Sequence, residues 1–501
     1  MMQLKLQETA FLRTVLDFLL SLEDTHIFLV GGAVRDALLG KTSHDLDFVV
    51  EGDALTSARK LANHINGAFY ILDSSRNYAR VIGHDEEGIR TIFDFAPLYQ
   101  NDIHADLQSR DFTINAIAWE ISLKNEDLID PLHGIEDLEK SILRPCSDDS
   151  FIADPVRMIR AARFAVEYKM EVSESVRDQV HASLSKLAEI SEERKRDELF
   201  KIFENHNVAD ALEILHDLNV LELVFSEVQK LVDFQQGSPH QFDGWKHTLQ
   251  AVRYCEAMLN YIEVGEKNEQ LSLLMEDIYH LLDDYSDDLK QTLCTPITVE
   301  RTLRSLFLFA AFYHDVGKPL DIGEKVENRI RYNHHSELGA KAAEGRARRM
   351  ALSKSEIKWL DCFIHNHMLL HDLNTTADDA EQRIFLYHFY RAAQQASPFV
   401  VLFSLADLLA TYDETINKER WQMGLIRCEK ALNGWFRQYN SLAAPEPFLD
   451  GKEVQAEFDL KPGKRLGSLL NDLRVAQASG EVTSKQQACE WVNTWIQKNK
   501  E

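Results

Sequence analysis

The stretch FLVGGAVRDALLGKTSHDLDFVV, residues 28–50, constrains the fold more than any other part of the chain. An apolar run ends at Gly31-Gly32, the punctuation of a tight turn. VRDALLG then opens a helix that stops at Gly40, and DLDFVV (45–50) returns as a strand. Strand, turn, helix and strand in direct succession read as an α/β module. Side chains two apart on a strand share a face, so Asp45 and Asp47 project together while Leu46 points to the opposite, core side. Two carboxylates held that close repel unless a cation joins them.

The remaining segments divide the chain. HIFLV (26–30) is a strand, and RVIG and RTIFDFA, separated by HDEEG, read as two strands joined by a turn. From about residue 150 the pattern turns helical. DPVRMIRAARFAVEY carries Asp154 at a cap position with Pro155 after it, and segments 174–190, 193–205, 208–226 and 246–264 follow a 3.6-residue period. NEQLSLLMEDIYHLLDDYSDDLK reads as a solvated acidic helix, and NSLAAPEPFLDGKE (440–453) as a linker. The spacing predicts an α/β head with a small mixed sheet and helices over 1–145 and an all-α neck and body over 146–238. An all-α metal-binding domain over 239–440 and a small helical tail over 441–501 complete the division.

Composition narrows the class. A chain of 501 residues with 45% hydrophobic content can bury several cores. Its six cysteines form no CxxC pair, which points to a reducing cytoplasm. MMQLKLQETAFLRTVLDFLL reads as an amphipathic helix and not a signal peptide, and the absence of any run of about 18 apolar residues predicts no membrane span. The net charge of −26 argues against loose nucleic-acid binding and leaves a local basic groove as the alternative.

Three constellations carry chemistry. At the Asp45–Asp47 pair, magnesium with a bound polyphosphate suits the oxygen ligands, one metal activating an attacking 3′-hydroxyl and a second stabilising leaving pyrophosphate. Gly31 and Gly32 suit a turn whose amides approach a triphosphate, with Arg35 one helical turn further on. In DPVRMIRAARF, Asp154, Arg157, Arg160 and Arg163 stand at three-residue steps along one slowly turning face. A carboxylate there can accept from the exocyclic amine of cytosine or adenine while an arginine donates to the ring acceptors, which disfavours the carbonyls of uracil and guanine. The alternative is an exposed i,i+3 salt bridge. Ten of the nineteen histidines lie between His240 and His388. His247, His314-Asp315 and Asp407, presented from separate helices, suit a divalent transition metal or magnesium, with His335 and His367 as secondary candidates and His334, His365 and His371 as surface residues.

GGAVRDALLG followed by DLDFVV resembles the polymerase-beta nucleotidyltransferase superfamily, and more narrowly the class II tRNA nucleotidyltransferases with their related bacterial poly(A) polymerases. The resemblance implies that Asp45 and Asp47 bind catalytic metals. Asp94 is a candidate third carboxylate, a solvent-facing strand end being the other reading. RDFTINAIAW (110–119) is similar to the motif whose arginine contacts the incoming nucleotide, which implies that role for Arg110; Ser109 stands where the family often has a second arginine. DPLHGIEDLEKSILR resembles a positioning motif, Ala153 replaces a usual glutamate before Asp154, and ISEERKRDELFKIF resembles a neck element containing Arg194. HTLQAV, FAAFYHDVGKP and FSLADLLA look like the HD phosphohydrolase superfamily, inserted in many such enzymes. In the tail, Lys461, Lys464 and Arg465 form a basic turn suited to RNA phosphates, a solvated loop being the equal alternative. The implied activity is addition of CCA, or only CC with a separate A-adding enzyme as partner, to tRNA from CTP and ATP. Poly(A) addition, or an HD phosphohydrolase with an inactive head, are the alternatives.

Overall fold

The computed structural model describes residues 9–22, 25–121, 128–268, 270–297, 301–326 and 329–499. It divides into two compact units, the first comprising 1–190 with 218–220, the second 191–217 with 221–501.

The first unit is built on a seven-stranded sheet. Its strands are β1 (Ile27–Val30), β2 (Asp45–Val50), β3 (Ala68–Asp73), β4 (Tyr78–His84), β5 (Arg90–Pro97), β6 (Ala118–Glu120) and β7 (Leu128–Ile129), in the spatial order β3-β4-β5-β2-β1-β6-β7. Only β2 and β5 pair in parallel, so the sheet is mixed. The turn through Gly88, whose φ is 82°, joins β4 to β5 as the HDEEG spacing predicts. Three helices begin the unit: α1 (Ala10–Leu20), α2 (Gly32–Leu38) and α3 (Ala54–His64). Leu46, Phe48, Phe93 and Phe95 are buried, and Phe48 lies 5.1 Å from the Phe95 ring. On the alternate face a second core forms around Phe28, Val30, Val49, Leu98, Leu107 and Ala116.

Helix α4 (Ile103–Gln108) lies between β5 and β6, and after the sheet come α5 (Gly134–Lys140), α6 (Ser150–Ala153), α7 (Arg157–Glu167) and α8 (Glu174–Ser183). The apolar stripe of α7, including Met158, Ile159, Ala162, Phe164 and Ala165, is buried, while Arg157, Arg160 and Arg163 are half-buried beside it.

The second unit is almost wholly helical among the described residues, apart from the two-stranded hairpin Glu324–Val326 and Arg329–Arg331. Helices Gly244–Val264, Leu303–Tyr313 and Ser397–Tyr412 form its interior, with every residue of Arg304–Tyr313 buried. The helical stretch Asp379–Tyr412 is long and apolar enough to cross a membrane, but 78% of its apolar window is buried inside the fold, as in a core helix.

Two expectations change. The period over 208–226 breaks, because the helix Val208–Asp217 ends before Asn219, whose φ is 58°. The acidic stretch is not simply solvated: it forms helices Met275–Asp283 and Ser286–Leu293, with Ile278, Tyr279, Leu282 and Leu289 buried. Its acids lie on the outward face of two amphipathic helices, the usual arrangement where half the residues are apolar. In the tail, helix Lys464–Ser479 packs Leu466, Leu469 and Leu473 into a separate small core with Leu449, Val454, Val482 and Val492.

Candidate active site in the head and candidate metal centre in the helical unit

The pleat of β2 places Asp45 and Asp47 on one exposed face and Leu46 in the core. The parallel register sets Asp47 directly opposite Asp94 on β5, and the antiparallel register sets it opposite Val30 at the end of β1. Three carboxylates therefore gather where the cover over Val49 ends. Loss of surrounding water raises the Asp47 pKa above the ordinary carboxylate range, and the charges of Asp94 and Asp45 raise it further against the opposing pull of Arg110. Asp94 is already engaged: Arg80 grips both of its oxygens at 2.8 Å. A divalent cation would relieve the repulsion, and the all-oxygen donor set fits one.

Gly31 follows β1 with φ 73° and ψ −133°, a backbone shape that favours glycine. A Cβ there would lie 2.8 Å from Arg110 Nη1 and 3.7 Å from Asp47 Oδ2, so the bare backbone lets this guanidinium approach the carboxylates. Arg110 is held by Asp106, one turn back on α4, through Nε at 3.1 Å and Nη2 at 3.0 Å. That anchor was legible as an i,i+4 pair in the sequence. The Gly31 amide itself donates to Ile117 O at 3.3 Å. Gly32 begins α2 beside the Arg35 side chain.

Arg35 requires correction. Only 5% of it is exposed. Its guanidinium lies 4.1 Å from the Tyr168 ring centre, bonds Asp36 Oδ1 at 2.9 Å, and donates to Asn115 Oδ1. Asn115 Nδ2 passes the chain on to Asp111 Oδ1 at 3.0 Å, and Arg160 grips Asp111 Oδ2 through Nε at 3.0 Å and Nη2 at 2.6 Å. Burial alone would raise the Asp111 pKa, but Arg160, Asn115 and the Phe112 amide hold it below the ordinary range. A buried network thus ties α2 to α7 and uses two arginines expected at the nucleotide. Asp111 and Asn115 both lie in RDFTINAIAW, where only Arg110 was singled out.

The rest of the arginine row diverges too. Arg163 bonds Glu167 at 3.0 Å and lies over the Phe164 ring at 4.3 Å. Arg157 donates from Nη1 to Arg110 O and Ser150 Oγ and from Nη2 to Ser109 O, each at 2.8 Å. It thereby braces the backbone that carries Arg110. Asp154 stands between α6 and α7 in extended conformation, half-buried, with Oδ1 accepting the Val156 amide at 3.4 Å. Asp154 and Arg157 remain the adjacent pair, but the four-residue face does not act as one.

In the second unit, His247, His314, Asp315 and Asp407 converge. His247 Nε2 lies 3.3 Å from His314 Nε2, 3.4 Å from Asp315 Oδ2 and 3.2 Å from Asp407 Oδ1. His247 and His314 are 0% exposed and Asp315 1%. His335 and His367 also join: Asp315 lies with them in a second group whose donor atoms can hold a metal ion. His314 and His367 follow the last turns of helices Leu303–Tyr313 and Lys354–Asn366, whereas His335 begins helix His335–Arg349. Gly317 makes this meeting possible. A Cβ there would sit 1.9 Å from His335 O, so the HDVG turn and the His335 helix can touch only at a glycine.

His334 and His365 are exposed as expected, but His371 is half-buried, with Nε2 3.9 Å from Asp407 Oδ2. Lys318, three residues after Asp315 in HDVGK, reaches Asp315 Oδ2 at 2.5 Å and Gln236 at 2.6 Å. Burial and the neighbouring Lys318 charge press the His240 pKa down to about 3, so that imidazole is neutral near pH 7. In the tail, Lys461, Lys464 and Arg465 are exposed, and Arg465 also donates to Asn499 O at 2.8 Å.

Comparison with known proteins bears on the head and on the fold of the chain. Residues 27–144 match a family model described as the poly A polymerase head domain, and 169–231 one described as a probable RNA and SrmB-binding site of polymerase A. The chain is 31% identical over 476 residues to an A-adding tRNA nucleotidyltransferase of Deinococcus radiodurans, covering 94% of this chain and 95% of that protein. It is 28% identical to a CC-adding tRNA nucleotidyltransferase of Thermus thermophilus, over 93% of each. Among solved structures, a CCA-adding enzyme in complex with CTP superposes with a TM-score of 0.60 at 18% identity, over 98% of this chain and 96% of that one, which establishes the likeness of fold.

Proposed function

Because the chain belongs to the class II tRNA nucleotidyltransferase and poly(A) polymerase family, we propose that its head extends tRNA 3′ ends without a template, using CTP or ATP and releasing pyrophosphate. The observation that carries this reading is the Asp45–Asp47 pair beside Asp94, faced by Arg110 across Gly31. Asp45 and Asp47 would hold a divalent cation, with magnesium the ion their hard oxygens favour. Bound there, it supplies positive charge to the attacking 3′-oxygen and the leaving pyrophosphate. The bond from the 3′-oxygen to the α-phosphorus forms as the bond to pyrophosphate breaks. Arg110 adds positive charge beside the carboxylates, where an incoming triphosphate would sit. Asp154 accepts from the amine of C or A, and Arg157 retains two of its five N–H donors for the same edge.

The connection between β5 and α4 is only Leu98–Asp102, with a 3₁₀ turn at Tyr99–Asn101. Between RVIG (80–83) and DLQSRDF (106–112) the chain is shorter than in typical CCA-adding relatives, where a flexible loop helps switch specificity from C to A, and this shortening favours a single-stage enzyme. The relatives named A-adding and CC-adding support both stages, and A-only addition widens the reading from sequence, which considered CCA and CC. A single-stage enzyme has a separate partner for the complementary stage.

His247, His314, Asp315 and Asp407 we assign to a divalent ion in an HD-type domain within the proposed 239–440 segment, and the exposed Lys461 and Lys464 to tRNA phosphates. Gly32 and Arg163 keep a supporting role in shaping the nucleotide site.

The test is to incubate tRNA transcripts lacking CCA, ending in CC, and complete, with each NTP, and to sequence the 3′ ends. Extension of the first but not the second, by CTP, identifies a CC-adding enzyme, extension of the second alone by ATP an A-adding one, and extension of both a CCA-adding one. Long A tracts on unrelated RNA would replace this reading with poly(A) polymerase. No dependence on CTP or ATP would overturn it.

A further inference from the structure

We propose that the uncovered face of strands β3, β4 and β5 is a platform for the unpaired 3′ end of the acceptor RNA, with Tyr70 stacking on a base and Arg80 holding a backbone phosphate. The proposal rests on the function proposed for the head, and adds where the attacking strand lies.

Sheet register lines these residues up. Asp47 stands opposite Asp94, Asp94 opposite Arg80, and Arg80 opposite Tyr70. Residues paired directly across neighbouring strands share a face, so one row runs from the carboxylates to the edge strand β3. On the reverse face Ala79, Val81, Phe93 and Phe95 are buried. On this one, beyond the end of the cover over Val49, Tyr70 is 51% exposed and Tyr78 39%. Tyr78 belongs to the same face because it lies two residues before Arg80 on β4. Aromatic rings are the side chains that gain most from burial, yet both of these are left in water beside the carboxylates.

The direction of attack decides what covers them. In nucleotidyl transfer the attacking 3′-oxygen and the leaving pyrophosphate stand on opposite sides of the α-phosphorus. Arg110 and the Gly31 turn, assigned to the triphosphate, lie on the β1 side of Asp47. The acceptor strand therefore enters from the other side, over β5, β4 and β3. Tyr70 lies three strand steps from Asp47, roughly 14 Å at about 4.8 Å per step. At ~3.4 Å for each stacked nucleotide, that distance spans at most about four nucleotides behind the reacting 3′-hydroxyl.

The chemistry of the face suits a single strand. Every base has a π-face, so rings on an open sheet hold unpaired bases without regard to sequence, and a double-helical stem offers them none. The chain carries a net charge of −26, yet Asp94 is the only carboxylate in β4 and β5. Arg80 answers it through Nε and Nη2, which leaves three of its five N–H donors for a phosphate. Arg80 thus stands between the carboxylates and Tyr70, where the backbone of a strand lying along the row would pass.

The experiment titrates the full chain into a tRNA transcript carrying 2-aminopurine among the unpaired nucleotides before its 3′ end. Stacking quenches the fluorescence of this base, so the titration reads the platform without any catalysis. Tyr70→Ala should remove the quenching and raise Kd, and KM for the tRNA, about 10-fold, while KM for the nucleotide stays unchanged. Tyr70→Trp should restore both, and Ile71→Thr, on the reverse face of the same strand, should match the wild type. Arg80→Gln should lessen the slope of log Kd against log salt by about 0.7, the share of one phosphate on a single strand. Unaltered quenching and affinity in Tyr70→Ala, in a chain that adds nucleotides, would overturn the platform and leave the function of the head standing. An unaltered salt slope would remove the Arg80 contact. A dimer that Tyr70→Ala dissociates, with RNA affinity unchanged, would give the face to a second copy instead. A wild-type chain that adds no nucleotide to any transcript would overturn the function itself, and the acceptor's place with it.

Discussion

The head cleft and the centre of the helical unit both gather groups suited to divalent cations, and they do so by opposite means. In the head, carboxylates stand on an exposed strand face, and the sheet register with β5 supplies rigidity. In the helical unit the donors are buried, and several are fixed by bonds to their own backbone at helix ends. An open edge can admit a polymer end and a triphosphate, whereas a buried ring of imidazoles suits an ion that stays. The arginines differ likewise: most of those expected to read the nucleotide in the head are built into its framework.

The largest expected effect separates the two regions. Asp47→Ala should lower nucleotide addition at least ~10³-fold, as loss of a metal-ligating catalytic carboxylate does, while leaving the Mn2+ content of the helical unit unchanged. Loss of both on dialysis would mean that the regions are coupled. Next, Asp111→Ala should cost about 3–5 kcal/mol in urea unfolding, because it strands Arg160 in a partly buried pair and interrupts the path to Arg35. A change of less than 1 kcal/mol would show that these arginines are not structural.

Smaller still, Arg157→Ala should reduce discrimination of C or A against U by roughly 10-fold, the worth of one good base contact. Single-nucleotide incorporation measures it, and an unchanged ratio with lower overall rate would leave Arg157 only its brace on Ser109 and Arg110. The mildest test concerns burial in the helical unit. Glu256 accepts the Val208 and Ala209 amides, and burial pushes its pKa up to about 8. Its stabilising contribution is therefore full below the unfolded value of 4.5 and is lost as pH rises through about 8. Glu256→Gln should narrow the difference in unfolding free energy between pH 5 and pH 8. An unaltered difference would show that Glu256 is ionised throughout.

Much of this was legible in the chain because it depends on short-range periodicity. The i,i+2 spacing of Asp45 and Asp47 put them on one face in any strand, and the i,i+4 spacing of Asp106 and Arg110 was there to be read. Arg35 and the row at 157, 160 and 163 show where that reasoning ends. Spacing gave each arginine a helix position but not what lies across from it. Tyr168 and Asn115 reach Arg35 from 133 and 80 residues further along, and Asp111 meets Arg160 from 49 residues before it. The same holds for His371, whose proximity to Asp407 no local pattern encodes.

The sequence by itself determined the two sets of chemistry, the strand that presents the carboxylates and the histidine-rich segment that supplies the imidazoles. Local geometry fixes which side chains share a face, so those features needed no fold. Only the tertiary structure decided the partners: the β2–β5 register that brings Asp94 to Asp47, and the packing at Gly317 that brings His335 to Asp315. Which groups meet depends on how distant elements pack, and side-chain periods of two or 3.6 residues carry no record of that.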